Sequence, residues 1–377
     1  MNVRFLSLLL GSAPLFAQMP TNPDVLFWTM PERDTAFRQM EKVSPVHVIA
    51  AGGKVHQFKN GATIHLPVDI DAYMASQRAA GLIIVQDNRI LLEKYAMGFD
   101  RESRWTSFSV AKSFTSSLAG AALHDGAIRS LGDKVTAYIP DLKGSAYEDV
   151  SVRQLLTMTS GVKWNEDYTD PKSDVAQFNS HHADPGVDVT VSYMRRLPRE
   201  APAGTKWLYK TGETNLIGVL VSQATHKTLS EYLSEKIWKP YGMEKDAVWM
   251  TGSTGHEISG CCISATLRDY ARLGQFMLDG GKADGKEVVT RDWIAKATTK
   301  EAETGAPGRG YGFQWWTYDT GCYAAQGIFG QSIFIDPSRK LIIATFGDWP
   351  TATDRKGLQV ARDEFFLKVQ AAVPAIH

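Results

Sequence analysis

Residues 82–95 read Leu-Ile-Ile-Val-Gln-Asp-Asn-Arg-Ile-Leu-Leu-Glu-Lys-Tyr, two β-rich runs split by Asp87-Asn88, and that spacing predicts a hairpin. A second hairpin is expected over 332–346, turning at Asp336-Pro337-Ser338, with a further strand in 310–318 just before it. Ala72–Ala80 has the pattern of a helix that Gly81 terminates, and an amphipathic helix is expected over 354–373. Between the hairpins the period changes: 152–161 and 214–225 carry helical spacing with Gly or Ser stops. Residues 19–65 show no sustained period and read as an extended, loosely regular arm. Strands at both ends and helices between them predict an α/β (α+β) architecture. Its antiparallel sheet is flanked by helices and built from residues 18–130 and 262–377, with an all-helical domain, 131–261, inserted. A cleft is expected where the two meet.

Composition narrows the function classes. In 377 residues, Lys plus Arg and Asp plus Glu each number 41, so no basic field exists to hold nucleic acid or an anionic membrane surface. A small-molecule partner is expected, and oligomeric state is left open. Residues 1–17, with Arg4, the apolar run Phe5–Leu10 and a terminal Ala17, have the plan of a secretory signal peptide, which predicts export to a periplasm or medium. The run is too short for a stable membrane span. The three cysteines, Cys261, Cys262 and Cys322, leave two readings open: a bridge from one of the adjacent pair to Cys322, or three reduced, partly buried thiols. No metal-ligand spacing is present, so no metal is expected.

The candidate chemistry lies in Ser-Phe-Ser-Val-Ala-Lys-Ser, 107–113. Val110, Phe114, Leu118 and Ala121 recur at spacings that bury one helical face, which puts Ser109 in the first turn with Ser107 as its N-cap. Positions i and i+3 share a face, so Lys112 can aim its amine at the Ser109 hydroxyl, as a base to a nucleophile. An N-terminal serine with an exposed lysine fits the same spacing, and Ser160-x-x-Lys163 repeats it at a Gly161 turn, where no helical face is shared. A lysine base must be neutral, which requires burial or a neighbouring cation. Tyr209, beside Lys210 and ahead of a helix, can relay a proton.

Six ordered landmarks span residues 80–350: Ser-Phe-Ser-Val-Ala-Lys-Ser, Asp-Gly-Ala-Ile-Arg-Ser-Leu-Gly-Asp-Lys, Leu-Leu-Thr-Met-Thr-Ser-Gly-Val-Lys-Trp-Asn-Glu-Asp-Tyr, Tyr-Lys-Thr-Gly-Glu-Thr-Asn, Ser-Ala-Thr-Leu-Arg-Asp-Tyr-Ala and Gly-Ile-Phe-Gly-Gln. On these the chain resembles the serine β-lactamase and penicillin-recognising superfamily, in the branch of class C β-lactamases, family VIII carboxylesterases and 6-aminohexanoate-dimer hydrolases. The resemblance implies a β-lactamase/transpeptidase-like fold and no cofactor. It implies Ser109 as nucleophile, Lys112 as base, Tyr209 as proton relay, and the backbone N–H groups of Ser109 and Ile328 as an oxyanion hole. Tyr168, Asn179 and Gly327 are the implied substrate contacts, and His181-His182 would border the cleft.

Two departures set the expected substrate. Tyr-Lys-Thr stands where the superfamily often has Tyr-x-Asn, and Ala-Gln-Gly, 325–327, replaces its Lys-Thr-Gly. Both remove groups that hold β-lactams, so the expectation is a serine hydrolase of a linear amide or ester. The alternatives are a class C-type β-lactamase or D,D-peptidase, and a non-catalytic sensor module of the same fold.

Overall fold

The structure, a computed structural model, describes residues 19–22 and 24–376. The expected leader, 1–17, lies outside the described residues. The larger sheet runs in the order Ala302–Glu303, Arg309–Tyr311, Trp316–Tyr318, Tyr323–Gln326, Ser332–Asp336, Leu341–Gly347, Ala79–Gln86, Arg89–Tyr95, Lys59–Asn60. All neighbours are antiparallel except the last pair. The chain's two ends therefore meet at its centre, where Ile343 lies opposite Ile84. The first hairpin forms as expected, with Asp87 and Asn88 both left-handed (φ 45° and 61°), the conformation a tight two-residue turn requires.

Both faces of the sheet are covered, which explains the unbroken apolar run at its centre. Leu82 and Ile84 point to a layer made by helices Ile70–Ser76 and Leu358–Ala372, through Met74, Phe365, Phe366 and Val369. Ile83 and Val85 point the other way, into the core shared with helices Ala111–His124 and Leu267–Leu278. Among the described residues no helix is long and apolar enough to cross a membrane.

Several local expectations are corrected. The arm is more regular than its sequence suggested: it carries helix Met30–Ala36 and strand Val46–Ile49. That strand belongs to a second antiparallel sheet with Ala247–Met250, Ile263–Ala265 and Trp105–Thr106. The segment 131–261 is thus helical but for Ala247–Met250, which is paired on both sides and too short to show alternation. The helix expected over 152–161 stops at Leu156: Thr157 turns its hydroxyl onto the Arg153 carbonyl at 3.0 Å, and Met158 adopts φ 55°. Cys322 is a buried free thiol, while Cys261 and Cys262 pair with each other, so neither reading of the cysteines holds.

The arm is pinned to the far end of the sheet by Arg33, which is buried. Its Nε donates to Asp348 Oδ1 at 2.5 Å, and its remaining nitrogens reach the carbonyls of Trp28 and Trp349, both at 3.0 Å. Replacing Arg33 by alanine removes the closer of two cations from buried Asp348, which keeps Arg78 Nη2 at 3.3 Å, and frees the Trp28 and Trp349 carbonyls. The expected loss is about 1–3 kcal/mol, read as a lowered urea midpoint against wild type.

Candidate active site

Ser107 is not the expected helix cap. Its hydroxyl donates to the Phe108 carbonyl and accepts the Ile263 N–H, each at 2.9 Å, tying the segment to the second sheet. Phe108 then turns left-handed (φ 42°), residues Phe108–Val110 form a single 3-10 turn, and the α-helix begins at Ala111. Nearly all of that helix is buried, not one face only, and its small hydroxyls serve close packing: Ser113 donates to the Gln314 carbonyl and Ser117 to the Ser113 carbonyl.

The turn leaves Ser109 half-exposed with Lys112 beneath it, only 2 % exposed. Lys112 Nζ lies 3.0 Å from Ser109 Oγ, 3.0 Å from Thr211 Oγ1 and 2.8 Å from the Gly260 carbonyl. Desolvation holds its pKa down at about 8, against the opposing charge of Glu166. The other route to a neutral lysine, a nearby cation, is not used. Lys210 turns away into a buried pair with Glu213 at 3.4 Å.

Tyr209 closes the other side, its ring centroid 5.1 Å from Lys112 Nζ and stacked on Trp316 at 5.5 Å. Burial, then the Glu166 charge, pushes its hydroxyl pKa well up, while contact with Ser109 pulls the other way. Tyr209 is therefore held protonated, as a group that gives a proton must be.

Strand Tyr323–Gln326 delivers Gly327 against the serine segment. A Cβ there would lie 2.7 Å from the Ser107 carbonyl oxygen, so only glycine permits the approach. Gly327 is a spacer more than a cavity wall, its N–H bonded to the Gln331 carbonyl at 2.9 Å. The next residue, Ile328, lines the cavity together with Ser109. Phe329 is again left-handed (φ 61°). Two strained phenylalanines thus flank the paired positions, and Phe37 from the arm packs against both, 5.0 Å from Phe108 and 5.6 Å from Phe329 between ring centroids.

The cavity above Ser109 measures about 480 Å³, within the usual range for small-molecule sites. Tyr168 and Asn179 line it. Tyr168 donates to Glu166 Oε1 at 2.8 Å, and Asn179 Nδ2 to Asp24 Oδ1 at 3.3 Å. His181 and His182 line it too, His181 bonded to Ser192 Oγ at 2.9 Å and, by desolvation, held below its ordinary pKa. Sequence reasoning missed the arm's share of the wall, Val25, Leu26, Trp28 and Met40, and it missed Thr211 and Glu166. Both lie inside motifs already singled out, as the Thr of Tyr-Lys-Thr and the Glu two residues before Tyr168.

Ser160 is not part of this site. It is fully buried, hydrogen-bonded to Glu213 Oε1, while Lys163 is exposed.

An antiparallel sheet with helices on both faces and a buried Ser-x-x-Lys at the head of a central helix defines the serine β-lactamase/transpeptidase class of fold. The chain belongs to the Beta-lactamase family, whose pattern it matches over residues 69–363. It is 30 % identical to the 6-aminohexanoate-dimer hydrolase of Paenarthrobacter ureafaciens, over 82 % of each chain. Its fold is similar to that of a Bacillus anthracis protein provisionally named a 6-aminohexanoate-dimer hydrolase (TM-score 0.81, 21 % identity, 93 % and 98 % of the two chains). It also resembles a penicillin-binding protein from Bacillus halodurans (TM-score 0.63, 15 % identity, 79 % and 100 %). The protein is a β-lactamase-family serine hydrolase.

Two stability measurements test the geometry. Ser160→Ala removes a donor from buried Glu213 and is expected to cost about 1–3 kcal/mol in denaturant unfolding. Lys112→Met reads the desolvation through its pH dependence. Because the folded state lowers the Lys112 pKa, it disfavours the ammonium, a penalty fully present below pH about 8 and relieved as pH rises toward the unfolded value of 10.5. The difference between variant and wild type should therefore move by up to about 3 kcal/mol in favour of wild type as pH rises above about 8, on top of a pH-independent loss of the bonds to Thr211 and the Gly260 carbonyl.

Proposed function

We propose that the protein hydrolyses a linear amide or ester through an acyl-enzyme. Ser109 attacks the carbonyl carbon while Lys112, neutral, accepts the hydroxyl proton; the tetrahedral oxyanion is met by the N–H groups of Ser109 and Ile328. Tyr209 passes a proton to the departing amine or alkoxide, the acyl group remains on Ser109 Oγ, and water releases it by the reverse sequence. The observation that carries this reading is the 3.0 Å contact between Ser109 Oγ and a lysine amine that is buried and held near pH 8.

The linear substrate is supported by what stands at the two departures. Thr211 takes the place of an amide-bearing residue, Ala325 stands where a β-lactam site offers a cation, and the amide of Gln326 beside it is bonded to the Tyr318 hydroxyl at 2.9 Å. The relative at 30 % identity carries the name of a linear-amide hydrolase. We also read the enzyme as exported, on the leader pattern of residues 1–17.

Hydrolysis of a short-chain p-nitrophenyl ester and of nitrocefin tests the proposal. Ser109→Ala is expected to lose ester turnover by roughly a thousand-fold or more, together with the acyl adduct seen by intact mass, while Ser160→Ala keeps both. Fast nitrocefin turnover would favour the β-lactamase reading, and absence of acylation in wild type the sensor reading. For wild type, kcat/KM should rise with pH as Lys112 loses its proton, with a midpoint near pH 8. A profile flat through that range would remove Lys112 as the base.

A further inference from the structure

A neutral lysine has two N–H donors and one lone pair, and only the lone pair can take a proton. Lys112 faces three oxygens, so which of them the lone pair meets decides whether it serves Ser109. The Gly260 carbonyl can only accept. Thr211 Oγ1, at 3.0 Å, could in principle either accept from the amine or donate to it. In the second case it would occupy the lone pair and displace Ser109.

Glu166 settles the choice. Its Oε1 accepts the Thr211 hydroxyl, and also the Tyr168 hydroxyl at 2.8 Å. Its Oε2 accepts the Thr211 N–H at 2.9 Å and the Trp164 indole N–H. Four donors fill the four lone-pair positions of an ionised carboxylate, which fixes the group on all sides. The Thr211 proton is therefore committed to Glu166, and its oxygen turns toward Lys112 as an acceptor. With both acceptors taking an N–H, the lone pair is left for the Ser109 O–H.

We propose that Glu166 and Thr211 are positioning residues that set the polarity of the hydrogen bonds around Lys112, so that its lone pair always faces Ser109. This inference rests on Lys112 being the base. Neither residue touches substrate in this role. Thr211 fills the place where related enzymes carry an amide, and the chain Ser109–Lys112–Thr211–Glu166–Tyr168 runs from the nucleophile to the cavity wall.

Glu166 has a second, separable effect, since its charge opposes the desolvation that lowers the Lys112 pKa. The ionisable groups facing this cluster are Glu166 and Tyr168 from one loop, Tyr209 from the segment before helix Thr211–Thr225, Tyr311 from the sheet, and Arg355, whose charge acts on Tyr168. All three tyrosines are pushed above their ordinary pKa by burial, so Glu166 supplies the anionic charge.

The test is the profile of kcat/KM for a p-nitrophenyl ester between about pH 6 and about pH 10, in Thr211→Val, Thr211→Ser and Glu166→Gln, with Ser109→Ala alongside. Thr211→Val keeps the shape without the hydroxyl and is expected to lose roughly 10- to 100-fold on the high-pH plateau. Thr211→Ser, which can still donate to Glu166, should stay within about threefold of wild type. Glu166→Gln should lower the plateau and move the acid limb to lower pH, because the charge that helps hold the proton on Lys112 is gone. A residue with only a structural role would leave that limb in place. A Thr211→Val plateau equal to wild type, or an unmoved limb in Glu166→Gln, overturns the inference. If either occurs while Ser109→Ala is inert, the nucleophile assignment survives and the positioning role alone falls. An active Ser109→Ala overturns both.

Discussion

A lysine amine cut off from solvent, with three oxygens within 3.0 Å, is the constraint on which the rest of the site depends. Burial is unfavourable for an ammonium and costs a neutral amine far less, so the fold itself brings Lys112 toward the form that can accept a proton near neutral pH. Meeting that constraint takes three remote stretches of chain: the turn before helix Ala111–His124, the start of helix Thr211–Thr225, and the Gly260 corner that leads into the second sheet. The two helices pack together, which is how Thr211 reaches an amine 99 positions earlier in sequence.

The backbone around the site is held under local strain. Phe108 and Phe329 adopt left-handed conformations that bulky residues seldom occupy, each costing on the order of 1–3 kcal/mol, and each precedes or follows a residue that lines the cavity. Their rings pack together at 5.2 Å with Phe37 against both, and Arg33 lies over Phe329 at 4.5 Å. The arm that precedes the family-matched region thus braces the two turns from behind and walls the cavity in front.

What the sequence revealed follows from the range of the interactions involved. The Asp87-Asn88 hairpin and the Ser109–Lys112 spacing are local, and their geometry is implied within a few residues. Ser160–Lys163 has the same local spacing, and only the distant Glu213 shows why it is not equivalent. Glu166 was hidden for a related reason: two of its four donors, from Trp164 and Tyr168, lie within two residues of it, and the other two both come from Thr211, which arrives from elsewhere. Strand Ala247–Met250 was missed because four residues paired on both sides show no alternation, edge strand Val46–Ile49 because four residues are too few to set a period, and the Cys261–Cys262 pairing because adjacency reads as two separate thiols.

The protonation state of Lys112 tests the account most directly. Protein carrying 13C-labelled lysine, with Lys112→Met to assign the resonance, would be titrated by NMR through the ε-carbon shift. The account predicts a midpoint near pH 8, well below that of the exposed lysines. A Lys112 that stays protonated up to the ordinary lysine value of 10.5 would contradict it.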